Sequence, residues 1–106
     1  MIEINGLIWR IAFVPFDDIM LMRPDSSFSL GVCDSSLQTI FINEHLRGLM
    51  LKKVLCHELT HAAMFSYGIS LSVEQEELLA ELIATYGEEI IFITNKIFSK
   101  LKERGA

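Results

Sequence analysis

The apolar residues change their spacing near residue 43, and this change constrains the fold more than any other feature of the chain. Before it, short apolar runs rich in Ile, Val and Phe are separated by turn residues and by both prolines. After it, apolar residues recur at spacings of three and four. Short bounded runs are typical of strands, and the wider spacing is typical of amphipathic helices. The sequence therefore predicts an α+β fold, with a small sheet followed by helices packed on it.

About three strands are predicted within residues 1–43, in a mostly antiparallel sheet. The first ends at Pro15, because proline cannot donate a ladder hydrogen bond. The polar stretch Asp34–Ser36 predicts a hairpin turn between the other two. The predicted strands are 7–16, 28–34 and 38–43.

The first predicted helix spans about residues 44–67. Asn43 is a residue type that favours the N-cap, and Gly68 is the type that favours the position after the last helical turn. This helix carries the two histidines discussed below, so it is the predicted active-site helix.

A long C-terminal helix is predicted over about residues 73–102, opened by a capping box of Ser72 and Gln75. A bend is expected at Gly87. Its last part has an apolar stripe, which favours either packing on the sheet or a homodimer surface. The stripe residues are Phe92, Ile93, Ile97, Phe98 and Leu101.

The segment "LCHELTHA" (55–62) contains the pattern His-Glu-x-x-His. Because four residues make about one helical turn, His57 and His61 share one helix face and could bind one Zn²⁺. Glu58 lies about 100° round the helix, where its carboxylate could take a proton from a water at the metal. The pattern predicts two zinc ligands and a general base, and a catalytic zinc needs one more ligand.

Glutamates of the second helix offer the third ligand. His45, the remaining histidine, would lie about 18 Å from His57 along one helix, too far to share the ion. Glu77 is favoured, because Glu81 one turn later could hold a histidine from behind, as carboxylates do at metal sites. Glu81 and Glu76 remain as alternatives for the ligand.

Composition limits the partners and the compartment. The chain has 106 residues and a net charge of -5, which predicts one domain (1–106) and gives no basic patch for nucleic acid. No apolar run is long enough for a membrane span. Cys33 and Cys56 do not form a disulfide framework, so free thiols in a reducing cytoplasm are expected.

Four segments together resemble one family. "GVCD" (31–34), "TIFIN" (39–43), "LCHELTHA" (55–62) and "EELLAELIA" (76–84) are similar, in order and spacing, to the short phage- and mobile-element-associated members of the ImmA/IrrE metallopeptidases. The resemblance implies a zincin-like fold of the gluzincin kind, with a small sheet under an active-site helix and a glutamate helix. It also implies a cytoplasmic zinc endopeptidase, and a helix-turn-helix repressor as one kind of substrate. In the family Asn or Asp is usual where this chain has Glu81.

The expected function is therefore peptide-bond hydrolysis through a metal-activated water, with Glu58 as the base. A protein or peptide substrate would add as a strand to the sheet edge, at 28–33 or at 38–42. One rival is a catalytically silent zinc-binding module of the anti-repressor or inhibitor type, for which Glu58 would have no use. The other is a structural helical domain without metal.

Overall fold

The computed structural model describes residues 1–105 and has the predicted α+β architecture. Ala106, the last residue of the predicted domain, lies outside the described residues. A four-stranded sheet is followed by α1, α2 and α3, and a π-helical turn joins the last two helices. The elements are β1 (Ile2–Ile4), β2 (Leu7–Val14), a 3₁₀ turn (Ile19–Leu21), β3 (Gly31–Asp34), β4 (Thr39–Asn43), α1 (Gly48–Ser66), α2 (Val73–Leu82), the π turn (Ile83–Gly87) and α3 (Glu88–Lys102).

The sheet is mixed, in the order β1-β2-β4-β3, with β2 parallel to β4 and the two outer pairs antiparallel. The prediction of about three strands missed β1. Its signal was present, because Asn5 and Gly6 form the tight hairpin turn with positive φ (47° and 83°) that this residue pair favours. Strand β1 has only three residues, which is too short for an alternating pattern to be recognised.

Helix α1 begins at Gly48, four residues later than predicted. The Asn43 side chain does not cap it. Its Oδ1 instead accepts a hydrogen bond from the His45 backbone N–H at 2.8 Å, in a local turn. The predicted end is confirmed: Gly68 has a φ of 66°, and the N–H groups of Gly68 and Ile69 donate to the carbonyls of Phe65 and Met64.

Helix α1 lies across one face of the sheet and forms the core with it. Trp9, Ile40 and Ile42 are fully buried there together with Ala62 of α1. The Trp9 Nε1–H donates to Ser66 Oγ at 2.8 Å in the interior. This bond fixes the end of α1 against β2, and it therefore also helps to position His61 and His57, which lie about one and a half and two and a half turns earlier.

The predicted helix over 73–102 is continuous, and the π turn that ends at Gly87, where a bend was predicted, interrupts its α-helical geometry. The capping box of Ser72 and Gln75 is present. Ala80 is fully buried where α2 packs on α1, as its small side chain allows. Helix α3 contacts mainly the π turn, so its apolar stripe does not pack on the sheet. Among residues 1–105, no helix is both long and apolar enough to cross a bilayer.

Candidate metal centre

His57 and His61 lie on the same face of α1, with ring centroids 5.1 Å apart. Their side chains are 20% and 14% exposed, so each ring is held in place by the protein and still reaches solvent. The spacing of four residues produces this arrangement, as the sequence predicts. The face that carries both rings is turned toward α2.

Glu77 of α2 lies opposite the two rings and contacts both of them. Its Oε1 is 2.8 Å from His61 Nε2, and its Oε2 is 3.1 Å from His57 Nε2. One ligand atom from each of the three residues lies within 4.8 Å of the others, close enough to hold one metal ion. The three predicted metal ligands are thus together in space.

The other nitrogen of each ring also faces a carboxylate. His57 Nδ1 is 3.4 Å from Glu81 Oε2, and His61 Nδ1 is 2.7 Å from Glu76 Oε1. A carboxylate at Nδ1 keeps the proton on that nitrogen and leaves the Nε2 lone pair free to bind a metal. Glu81 and Glu76, the alternative ligands, thus face the Nδ1 atoms, where groups that orient metal-binding rings would stand.

Glu81 is itself held by a second contact. Lys53 Nζ of α1 is 3.0 Å from Glu81 Oε1. This hydrogen bond, together with the lysine charge, lowers the pKa of Glu81 below its ordinary value. The lowered pKa keeps the carboxylate behind His57 ionised, and an ionised carboxylate accepts a hydrogen bond from an imidazole Nδ1–H.

Glu58 is buried (8% exposed) and lines the same cleft as the two histidines. Burial raises the pKa of its carboxyl group above the ordinary value. Helix α1 approaches β3 closely at this point. A Cβ added to Gly31 would lie 2.8 Å from Val54 Cγ1 and 3.1 Å from Glu58 Cγ. Gly31 therefore makes room for Glu58 beside the strand, a requirement that sequence reasoning missed.

The cleft has a volume of about 890 Å³ and runs between α1, α2 and β3. Its strand wall is formed by Leu30–Cys33. Strand β3 is an outer strand, whereas β4 pairs on both sides, so the predicted alternative edge at 38–42 is wrong. Arg23, on the loop before β3, also lines the cleft, and no sequence motif marked it. Its Nε donates to Ser29 Oγ at 2.8 Å.

Two other side chains with metal-binding chemistry do not take part in the three-ligand group. Burial raises the pKa of Cys33 to about 12, and its half-buried side chain lies outside the group formed by His57, His61 and Glu77. His45 lies before α1, exposed, with Nε2 3.8 Å from Glu44 Oε1. The conclusion that His45 is not a ligand stands, although it does not share the helix of His57 as predicted.

The donor set fits zinc. Two imidazole nitrogens and one carboxylate oxygen are a common catalytic zinc set, and both rings carry the carboxylate support that such ligands usually have. The acidic groups around the rings, Glu58, Glu76, Glu77 and Glu81, also favour a cation at this place. Comparison of the chain with protein-family models, curated proteins and solved structures finds no match. The resemblance to ImmA/IrrE proteins, and the zincin-like fold it implies, therefore stay predictions.

Proposed function

We propose that this chain is a zinc-dependent endopeptidase. The observation that carries the proposal is the convergence of both histidine Nε2 atoms on Glu77, each ring being held at Nδ1 by another carboxylate. A structural histidine pair would need no such arrangement on both nitrogens. The buried Glu58 in the same cleft adds a group whose chemistry metal binding alone does not require.

His57, His61 and Glu77 would hold the zinc, leaving a position open to the cleft. Bound zinc supplies Lewis acidity, which makes a water acidic enough to give up a proton near neutral pH.

Glu58 is the proposed general base. Because burial raises its pKa, its carboxylate binds a proton more readily than an exposed glutamate does. The same carboxyl group can then give that proton to the amine that leaves when the peptide bond breaks. General acid–base groups of this kind contribute about 10²- to 10⁴-fold to the rate.

The outer edge of β3 is the proposed site for the substrate backbone. Strand β3 pairs only with β4, and its residues line the cleft beside Glu58. An extended peptide that adds to this edge would gain main-chain hydrogen bonds and pass in front of the histidines. Selection for extended, accessible segments follows from this geometry. A helix-turn-helix repressor of a phage or mobile element, acted on in the cytoplasm, is proposed from the family resemblance.

Metal content tests whether the chain binds zinc. Protein purified without chelators is expected to hold about one zinc per chain, measured by elemental mass spectrometry. His57→Ala and Glu77→Ala should lose most of it. Glu74→Gln, at an exposed position of α2 outside the cluster, is the matched control and should keep it. Zinc near zero in the unmodified chain would contradict the proposal and favour the metal-free domain.

A cleavage assay tests whether the chain hydrolyses peptide bonds with Glu58 as the base. Glu58→Gln should keep its zinc and lose about 10²-fold or more of the peptidase activity, because the amide cannot accept the proton. Activity can be followed by mass spectrometry on a proteome-derived peptide library, which needs no prior substrate. Zinc without cleavage of any peptide by the unmodified chain would instead favour the silent zinc-binding module. Full activity of Glu58→Gln would refute the mechanism.

A further inference from the structure

Helix α3 presents an apolar stripe that residues 1–105 leave uncovered. Of the predicted stripe residues, Ile93, Ile97 and Leu101 share one helix face with Ile90, because the four are spaced by three and four, whereas Phe92 and Phe98 lie about 100° or more away from that face. The four on the shared face remain about half exposed: Ile90 51%, Ile93 46%, Ile97 55% and Leu101 45%. The molecule, α3 included, is elongated and measures 56 × 30 × 28 Å along its principal axes. A helix of this length is only marginally stable in water without tertiary packing.

The stripe continues into an apolar groove beside the π turn. This groove has a volume of about 640 Å³ and runs between the start of α1 and the π turn. Its apolar walls include Leu49, Ile83, Ile90 and Ile91. The groove enlarges the apolar surface beyond that of α3 alone, and contiguous exposed apolar surface of this kind marks an interaction site.

The charges at the two ends of α3 are opposite in sign, so they would be complementary to those of an antiparallel copy of the same helix. Glu88 and Glu89 stand in the first turn of α3, and Lys100 and Lys102 in the last. Glu89 and Lys100 are eleven residues apart, about three turns, so they border the same side of the stripe. Among the ion pairs of residues 1–105 neither takes part, whereas Glu88 Oε2 is 2.9 Å from Lys52 Nζ.

We infer that α3 pairs with α3 of a second copy of this chain in an antiparallel, two-fold symmetric dimer. In this register Ile93 lies opposite Ile97 of the second copy, and Glu89 lies opposite its Lys100. Because the interface is isologous, each of these contacts occurs twice. The helix dipoles also oppose one another. In a parallel two-fold pair Glu89 and Lys100 would instead stand about 16 Å apart along the helices and on opposite sides of the interface, so they could not meet.

Sedimentation equilibrium of the full chain tests the dimer. At about 100 µM the expected mass is twice that of the 12.1 kDa chain, and it falls on dilution by mass action. Ile97→Glu should weaken association at least about tenfold, because it buries a charge at the centre of the interface. Ser99→Glu, about 200° away on the same helix, is the matched control and should leave association unchanged. Far-UV circular dichroism confirms that both variants fold.

Charge reversal tests the antiparallel register. Glu89→Lys alone and Lys100→Glu alone should each weaken the dimer, since each places like charges opposite one another. The double variant Glu89→Lys/Lys100→Glu should restore it. A monomer at about 100 µM, or a dimer that Ile97→Glu leaves intact, would overturn the self-pairing of α3. Failure of the double variant to recover would overturn the antiparallel arrangement.

Discussion

Three glutamates of α2 contact the two histidines, and the nitrogen that each one faces distinguishes its role. Glu77 faces both Nε2 atoms, whereas Glu81 and Glu76 each face one Nδ1. A ligand contributes directly to metal binding. A group behind the ligand fixes the proton and the ring orientation, and its loss typically lowers metal affinity by about 10- to 100-fold.

We therefore predict a graded response of zinc affinity to single substitutions. Glu77→Gln should weaken zinc binding the most, and Glu76→Gln and Glu81→Gln each by about 10- to 100-fold. Competition with a chromophoric chelator measures the three dissociation constants, and Glu74→Gln serves as the control. A larger loss for Glu81→Gln or Glu76→Gln than for Glu77→Gln would transfer the ligand role to that residue.

Gly31 is a position where one added carbon atom would disturb the local packing. A Cβ there would lie 2.8 Å from Val54 Cγ1, closer than packed carbon atoms come. Gly31→Ala should therefore lower the free energy of unfolding by about 1–3 kcal/mol, the usual range for overpacking, as measured by chemical denaturation.

Val54→Ala provides the check on that explanation, because it removes the atom that the new Cβ would meet first. Gly31→Ala should therefore destabilise the Val54→Ala variant less than it destabilises the unmodified chain. A double-mutant cycle of the two substitutions measures this coupling. Additive losses would show that the close approach of α1 to β3 is not the cause.

The elements are positioned by a few specific contacts, of which the bond between Trp9 and Ser66 is the most buried. We predict that Ser66→Ala lowers the free energy of unfolding by about 1–3 kcal/mol, because it leaves the indole N–H without its partner. The same substitution in a Trp9→Phe background should have a much smaller effect. Equal losses in both backgrounds would mean that the bond to Ser66 contributes little to the position of α1.

Features that depend on a few neighbouring residues could be predicted from the sequence, whereas features that depend on which strands pair with each other could not. The end of α1 at Gly68 and the capping box at Ser72 are local, and both were predicted. The parallel pairing of β2 with β4 was not, because the 24 residues between Val14 and Thr39 carry no signal of which strand they return to. The start of α1 was misplaced, because Asn43 caps a turn as well as it caps a helix.

For the candidate site, too, the sequence predicts what is local to one helix but not what depends on the packing of two helices. Helical spacing alone places His57 and His61 on one face, and it places Glu77 and Glu81 together on α2. Which carboxylate meets which ring nitrogen depends on how α2 crosses α1, and no local pattern encodes that. Glu76 behind His61 and Gly31 beside Glu58 became visible only from the packed structure.

For the whole molecule, the candidate metal site matters because its residues come from both α1 and α2, the helix that follows it. Apart from the contacts of the two histidines, the ion pair between α1 and α2 among residues 1–105 is Lys53 with Glu81, while Lys52 with Glu88 joins α1 to the start of α3. Both pairs are exposed, and such pairs contribute little to stability. A metal held by His57, His61 and Glu77 would thus supply much of the energy that keeps α2 on α1. Zinc binding should accordingly be visible as global stability.

We predict that zinc raises the thermal midpoint of chelator-treated protein. A ligand at 100 times its dissociation constant adds about 2.7 kcal/mol, and about 4–8 °C per kcal/mol applies to a chain of this size, so a rise of roughly 10–20 °C is expected. Differential scanning calorimetry with and without zinc measures it. Glu58→Gln should keep the full rise, because Glu58 is not a ligand, and His61→Ala should lose it. Magnesium should have little effect, since it prefers oxygen ligands. An equal rise in His61→Ala would place the stabilising zinc elsewhere, and the link between α1 and α2 would then have to rest on packing around Ala80 and on the Lys53–Glu81 ion pair.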